Sequence, residues 1–145
     1  MTQQAQGSRV YMAGDELPTV TRVLPQEKIN RYADASGDHN PLHIDPAFAA
    51  GTQFGGTIAH GMLVLAYISE MMTAAFGKQW LNGRLKVRFR GAARPGDAVS
   101  ASGRVATSGP VENNKDELRR IVCEVECRNQ NGEVLISGEA SLRAR

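Results

Sequence analysis

The sequence has little that points to a membrane, a disulfide framework or a nucleic acid. Its 145 residues include two cysteines, and the formal net charge is +2. Its apolar runs all fall short of the ~18 residues that a membrane-spanning helix needs. A net charge this small gives no indication of nucleic-acid binding. We therefore expect neither a membrane nor a nucleic acid among the partners of the chain.

The two cysteines, Cys123 and Cys127, lie four positions apart in a segment whose alternation predicts a strand. On one face of a strand this spacing separates the two residues by about 13 Å. A disulfide requires Cα atoms within about 7 Å of each other. The sequence therefore predicts two free thiols and, by default, a reducing cytoplasm as the location.

The length of the chain fits one ordinary domain. Hydrophobic residues make up 41% and charged residues 22%, which is typical of a globular protein and argues against disorder. Residues 1–9 are polar and lack the apolar core of a secretory signal, so we expect a flexible tail there. Since no repeat or low-complexity linker divides the remainder, residues 10–145 are predicted to form a single domain.

The clearest local element is a helix over Met62–Phe76. Only Ser69, Glu70 and Thr73 are polar within it. A helix that is apolar on nearly every side is buried rather than laid on a surface. Gly77 stands where glycine favours the end of a helix. This segment is therefore predicted to be the centre of the core.

The part of the chain before this helix predicts less regular structure. Thr19–Leu24 is predicted to be a strand, and the spacing of apolar residues over Gln26–Ala35 predicts a helix. Proline and glycine recur through Asp38–Ile58. They predict a structured loop with one short helical turn over Pro46–Ala50.

The second half of the chain alternates between apolar and polar residues, as β-strands do. Arg84–Arg90 predicts a strand with one dry face and one basic, solvated face. The polar segment Ser108–Asp116 is expected to be a mobile loop, and Asn131-Gly132 is a strong hairpin signal. A helix followed by antiparallel strands predicts an α+β fold whose edge strand favours pairing into a dimer. The other three predicted strands lie over Val99–Val105, Ile121–Cys127 and Val134–Leu142.

Two polar side chains, Asp38 and His43, bracket a predicted turn at Asn40-Pro41-Leu42. An Asn-Pro pair favours a tight turn, which could bring the two side chains together. A carboxylate and an imidazole that converge can hold one water, one accepting a proton while the other gives one. An aspartate after glycine is also common as a plain turn residue, and a single loop histidine often has no function. The pattern alone leaves both interpretations open.

His39 and His43 are spaced as two metal ligands on a helix would be. Two ligands four positions apart suit a helix, but Pro41 lies between them and disfavours regular helix there. No cysteine lies nearby. We therefore expect no metal and no cofactor; turn residues bonded to the backbone are the alternative.

Gly61 opens the predicted central helix and leaves its backbone N–H free. The helix dipole adds partial positive charge at that end, so the amide could stabilise an oxyanion forming on a carbonyl. The alternative is that Gly61 only gives the chain a tight entry into the helix. His60, just before it, is expected to pack or hydrogen-bond beside the site rather than transfer a proton.

The ordered motifs of this region resemble those of the MaoC-like (R)-specific enoyl-CoA hydratases and dehydratases. The segments that carry the resemblance are Ser36-Gly37-Asp38-His39-Asn40-Pro41-Leu42-His43, Phe54-Gly55-Gly56 and Ile58-Ala59-His60-Gly61-Met62. The resemblance implies the hot-dog fold, in which an antiparallel sheet wraps a long central helix. It also implies a homodimer, or two fused or paired hot-dog units. Agreement over Val87–Asp97 is looser. Because Gly91–Arg94 is smaller and more basic than expected there, the preferred acyl chain length stays open.

The resemblance also implies roles for individual residues. Asp38 and His43 would activate water for syn addition to a trans-2-enoyl thioester carried by CoA or an acyl carrier protein. The Gly61 N–H would polarise the thioester carbonyl, and Asn40 would shape the loop. Ser69 lies where some relatives place a serine near the active site, and His60 is a candidate on the substrate side. Tyr67 is a further substrate-side candidate from its place on the central helix, where plain core packing is the alternative.

Two alternatives of other kinds remain at this point. The chain could be a hot-dog acyl-CoA thioesterase, which also uses a carboxylate and the start of the central helix. It could instead be one subunit of a hetero-oligomeric acyl carrier dehydratase, or a binding domain for acyl chains. The Asp38-to-His43 motif argues against both alternatives.

Overall fold

The computed structural model describes residues 9–111 and 118–145. A short strand and three helices precede the long helix. A 3₁₀ helix of two turns, Gly77–Asn82, connects the long helix to the remaining strands. The helices are α1 (Gln26–Ser36), α2 (Pro41–Ile44), α3 (Pro46–Ala50) and α4 (Gly61–Phe76). The strands are β1 (Val20–Val23), β2 (Arg84–Phe89), β3 (Ala98–Pro110), β4 (Arg119–Arg128) and β5 (Val134–Ala144).

The strands form one antiparallel sheet in the order β1-β3-β4-β5-β2. Alternate residues of β4 are buried, as the sequence pattern predicts for a strand with one dry face. Helix α4 packs against β1, β3, β4 and β5. The sheet therefore covers the central helix, and the predicted α+β architecture is confirmed.

Helix α4 supplies the middle of the core. Ile68, Met71 and Met72 have no exposed surface, and burying side chains of this size stabilises the fold by roughly 1.5–3 kcal/mol each. The helix ends at Gly77, whose φ of 57° few other residues adopt and whose N–H donates to the Thr73 carbonyl. The predicted helix and its glycine stop are thus confirmed, with the first turn beginning one residue earlier, at Gly61.

Two local predictions were wrong. The loop predicted over Asp38–Ile58 contains a second short helix, α2, because a proline is tolerated at the first helical position and Pro41 occupies it. Strand β3 continues through Ser108, Gly109 and Pro110, which pair with β4, so the start of the predicted mobile loop is strand. Residues 112–116 of that loop, and residues 1–8 of the predicted tail, lie outside the described residues.

The cysteines behave as their spacing predicts. Cys123 and Cys127 are both free and both buried in the core face of β4. Burial raises the pKa of each thiol to about 12, because the thiolate would lose its hydration. Within the described residues, no helix is long and apolar enough to cross a bilayer.

Candidate active site

The end of α1 determines the position of Asp38. Gly37 adopts a left-handed conformation, with φ of 79°, and its N–H donates to the Ala33 carbonyl. The Asp38 N–H donates to Ser36 Oγ at 3.2 Å, and one Asp38 carboxylate oxygen accepts from the Asn40 N–H at 3.2 Å. These short-range bonds hold a side chain that is still half exposed.

Helix α2 presents His43 to the same point. Its Nδ1 lies 2.8 Å from the Ile58 carbonyl oxygen, and a carbonyl can only accept a hydrogen bond, so Nδ1 carries the proton. In the neutral ring Nε2 is then left with a lone pair. This atom lies 4.0 Å from Asp38 Oδ2. That separation is too long for a direct hydrogen bond and suits two groups that share one water.

Two side chains fix the loop from behind. Asn40 caps α2, because its side-chain oxygen accepts from the Leu42 N–H at 3.0 Å. Gln26, at the start of α1, donates to the main-chain carbonyl of His43 at 2.8 Å and accepts from the buried Thr57 hydroxyl at 2.7 Å. Sequence reasoning missed Gln26, because a glutamine in the first turn of a helix carries no signal of a long-range contact.

Gly61 begins α4 directly after His60, whose ring stacks on that of His43. The N–H groups of Leu63 and Val64 donate to the His60 carbonyl, so the Gly61 amide stands ahead of the first hydrogen bonds of the helix. A Cβ at position 61 would come within 2.9 Å of the ring of Phe89. A side chain at position 61 would therefore have to displace the Phe89 ring, which is half exposed.

His60 lies against both of the predicted proton-transfer groups. Its Nε2 is 2.9 Å from the main-chain oxygen of Asp38, and its ring stacks on that of His43 with centroids 3.9 Å apart. Candidate ligand atoms of Asp38, His43 and His60 lie within 4.8 Å of one another. However, each ring nitrogen directs its lone pair along the plane of its own ring, and the two rings stack one above the other at an angle of 29°. An ion bound by both histidines would require one ring to turn.

Ser69 and Tyr67 lie further along α4, and His39 contacts a different side chain. Ser69 is eight positions after Gly61, a rise of about 12 Å, and its hydroxyl accepts from the Trp80 indole at 3.0 Å. Tyr67 is buried, and its hydroxyl has no partner among the described residues. His39 pairs with Asp34 at 3.0 Å instead of joining His43.

Comparisons with known proteins agree with this arrangement. A family model described as the MaoC like domain matches residues 8–126. The 3-hydroxyacyl-thioester dehydratase Z of Mycobacterium tuberculosis is 42% identical over 84 residues, which are 54% of this chain and 56% of the relative. The chain thus spans about half the length of that relative. The (R)-specific enoyl-CoA hydratase of Rhodospirillum rubrum is 32% identical over 127 residues, covering 86% of this chain and 82% of the relative.

A solved structure extends the similarity to the whole architecture. The unliganded R-hydratase from Pseudomonas aeruginosa superposes with a TM-score of 0.76 at 29% identity, covering 91% of this chain and 81% of that one. The sheet and its central helix are therefore those of the hot-dog fold. Because the family model spans most of the sequence and the hydratase relative is 32% identical over 86% of the chain, the chain belongs to the MaoC-like domain family.

Proposed function

We propose that the chain is an (R)-specific enoyl-CoA hydratase or 3-hydroxyacyl thioester dehydratase, which adds water to, or removes it from, a 2-enoyl thioester. The observation that carries the proposal is the 4.0 Å separation of Asp38 Oδ2 and His43 Nε2 beside the Gly61 amide. The names of the relatives, a dehydratase and a hydratase, support it.

The geometry suits a water that donates one hydrogen to Asp38 and the other to His43. Both groups accept: the carboxylate at neutral pH, and Nε2 because Nδ1 carries the ring proton. The oxygen of that water keeps its lone pairs for the substrate. Since both groups reach the water from one side, hydration would occur on one face of the double bond.

The reaction balances with these groups alone. The water oxygen bonds to C3 while its O–H bond breaks, and the proton passes to Asp38 or His43. The π electrons of the double bond move into the thioester as an enolate, whose oxygen the Gly61 N–H stabilises. When the enolate collapses, C2 takes a proton from the same pair. Which of the two groups acts as base is left open.

A direct assay tests the reaction. Crotonyl-CoA should lose its enoyl absorbance with the purified chain, and chiral analysis should find the (R)-3-hydroxy product. A saturated acyl-CoA should release no free thiol. Thiol release without hydration would instead favour the thioesterase alternative.

We further propose a homodimer whose second copy completes the acyl pocket. Strand β2 lies at one edge of the sheet, and an edge strand favours pairing. Met62 and Phe89, both beside Gly61, are more than half exposed. Two grooves of the single chain, about 520 and 390 Å³, are lined by residues other than Asp38, His43 and Gly61. The mass in solution tests the proposal: a monomer active alone would contradict it.

The exposed face of β2 suits the carrier of the thioester. Arg84, Lys86 and Arg88 are exposed there, and no ion pair joins them to a described residue. Positive side chains of this kind would attract the phosphates of CoA or the acidic surface of an acyl carrier protein. A substrate panel that varies carrier and chain length distinguishes the two.

A reducing cytoplasm remains our prediction for the location.

A further inference from the structure

We propose that His60 is a positioning residue that holds the Asp38 main chain and the His43 ring in one fixed arrangement. This inference rests on the proposed hydro-lyase function, because it concerns the same site. His60 directly precedes Gly61 and is the residue from which α4 begins. One side chain therefore joins the amide end of the central helix to both polar groups of the loop.

The first contact is a hydrogen bond to the main chain. His60 Nε2 lies 2.9 Å from the Asp38 carbonyl oxygen, which can only accept, so Nε2 carries the proton. The Asp38 side chain is half exposed, and the hydrogen bonds from its N–H to Ser36 and from Asn40 to its carboxylate stay within the segment from Ser36 to Asn40. The His60 donor is the bond that ties this exposed segment to a buried helix.

The second contact is the stacked ring. The His43 and His60 rings are 3.9 Å apart at an interplanar angle of 29°. The bond from His43 Nδ1 to the Ile58 carbonyl fixes one edge of the His43 ring, and the stack fixes its face. Together they leave Nε2 directed at Asp38, which is the orientation that proton transfer needs.

The burial of His60 argues that this position is more than packing. The residue is only 2% exposed, and its Nδ1 is buried with no partner among the described residues. An unpartnered buried nitrogen destabilises a fold, and a phenyl ring would fill the same place without it. What phenyl lacks is the N–H that donates to Asp38.

Two substitutions separate the two contacts. His60→Phe keeps an aromatic ring against His43 and removes the donor to Asp38. His60→Gln keeps an amide N–H at a similar reach and removes the stack. Each should lower kcat for crotonyl-CoA hydration by about 10- to 100-fold, with KM changed little, because misplacement of a reacting group acts on the transition state. His39→Phe and His39→Gln are matched controls at an exposed histidine of the same loop, and should keep the wild-type kcat.

A spectroscopic measurement reads the positioning without any assay. The chain has three histidines, so long-range ¹H–¹⁵N spectra of its imidazoles can be assigned by single substitutions. The His43 pattern should report a single tautomer with the proton on Nδ1, and in His60→Gln the loss of the stack should release the ring, so that the pattern becomes an average of the two tautomers. His39 variants should leave those signals unchanged.

The outcomes are separable. Wild-type kcat and unchanged His43 signals in both His60 variants would overturn the inference, as would a loss of activity no larger than the loss of folded protein measured by thermal unfolding. If the wild-type chain hydrates nothing, the proposed function fails. The His43 spectra then still decide whether His60 positions that ring.

Discussion

The loop between α1 and α4 and the core between α4 and the sheet are held by different interactions. In the core, Ile68, Met71 and Met72 lose all contact with solvent. In the loop, Asp38 and Asn40 are exposed and are fixed by hydrogen bonds to neighbours two positions away. Burial of apolar area stabilises the first region, and turn and cap bonds shape the second.

Because the two regions are held differently, we expect loop substitutions to change activity and core substitutions to change stability. A loop side chain can be changed with little loss of buried apolar area, so its replacement should affect the reaction before the fold. A core side chain such as Met71, ten positions along α4 from Gly61 and therefore about 15 Å further along the helix axis, should affect the fold first.

The largest effect is expected from the two proton-transfer groups. Asp38→Asn or His43→Ala should lower kcat by about 10²- to 10⁴-fold, because general acid–base catalysis contributes that much. KM and the thermal unfolding midpoint should change little. Steady-state hydration of crotonyl-CoA measures the effect. If either variant retains the wild-type rate, the assignment of that residue is wrong.

The next effect is expected in the core. Met71→Ala removes a fully buried side chain and should lower the free energy of unfolding by about 2–5 kcal/mol. Denaturant unfolding measures this loss. Activity of the folded variant, assayed well below its melting temperature, should stay within about twofold of wild type. A large fall in kcat with unchanged stability would contradict the separation of the two regions.

Gly61 lies where the loop meets helix α4, so its substitution affects both regions. Gly61→Ala should lower kcat by about tenfold or more, because its Cβ would push the Phe89 ring from a contact of 2.9 Å and tilt the first helical amide. Phe89→Ala in the same chain should restore part of the rate, as a double-mutant cycle would show. Simple additivity of the two changes would mean that Phe89 does not cause the loss.

The buried thiols predict a pH effect at the alkaline end. The pKa of Cys123 and of Cys127 is raised to about 12, so the folded state favours the neutral thiol. Their contribution to stability is complete below the ordinary thiol pKa and is lost as pH rises from about 9 towards 12. Cys123→Ala should flatten that decline in urea unfolding. Fast labelling of the native protein by a thiol reagent at pH 8 would contradict the burial.

The smallest effect is expected at His39. The hydrogen bond to Asp34 raises the pKa of this exposed histidine. Its contribution to stability is therefore present at low pH and is lost as pH rises through the folded-state pKa. His39→Ala should leave kcat unchanged and slightly weaken the protein only on the acidic side, as thermal unfolding across a pH series can show. Equal losses at every pH would point to packing.

Sequence patterns predicted the elements whose residues repeat regularly. Helix α4 and its Gly77 stop, and the alternation in β4, were predicted because burial on a fixed period leaves a local trace in the sequence. Helix α2 was missed because four residues are too few to show a helical period. The link from Gln26 to His43 was missed because its partners are distant in sequence.

The sequence by itself determined which segments are buried. It also determined which chemical groups are available: a carboxylate, an imidazole and a glycine at the start of an apolar helix. Only the tertiary structure decided that β1 pairs with β3 while β2 closes the far edge. It also decided that the His60 ring stacks on His43. Periodicity records the exposure of each residue, whereas strand order and side-chain contacts depend on which distant segments meet when the core is packed.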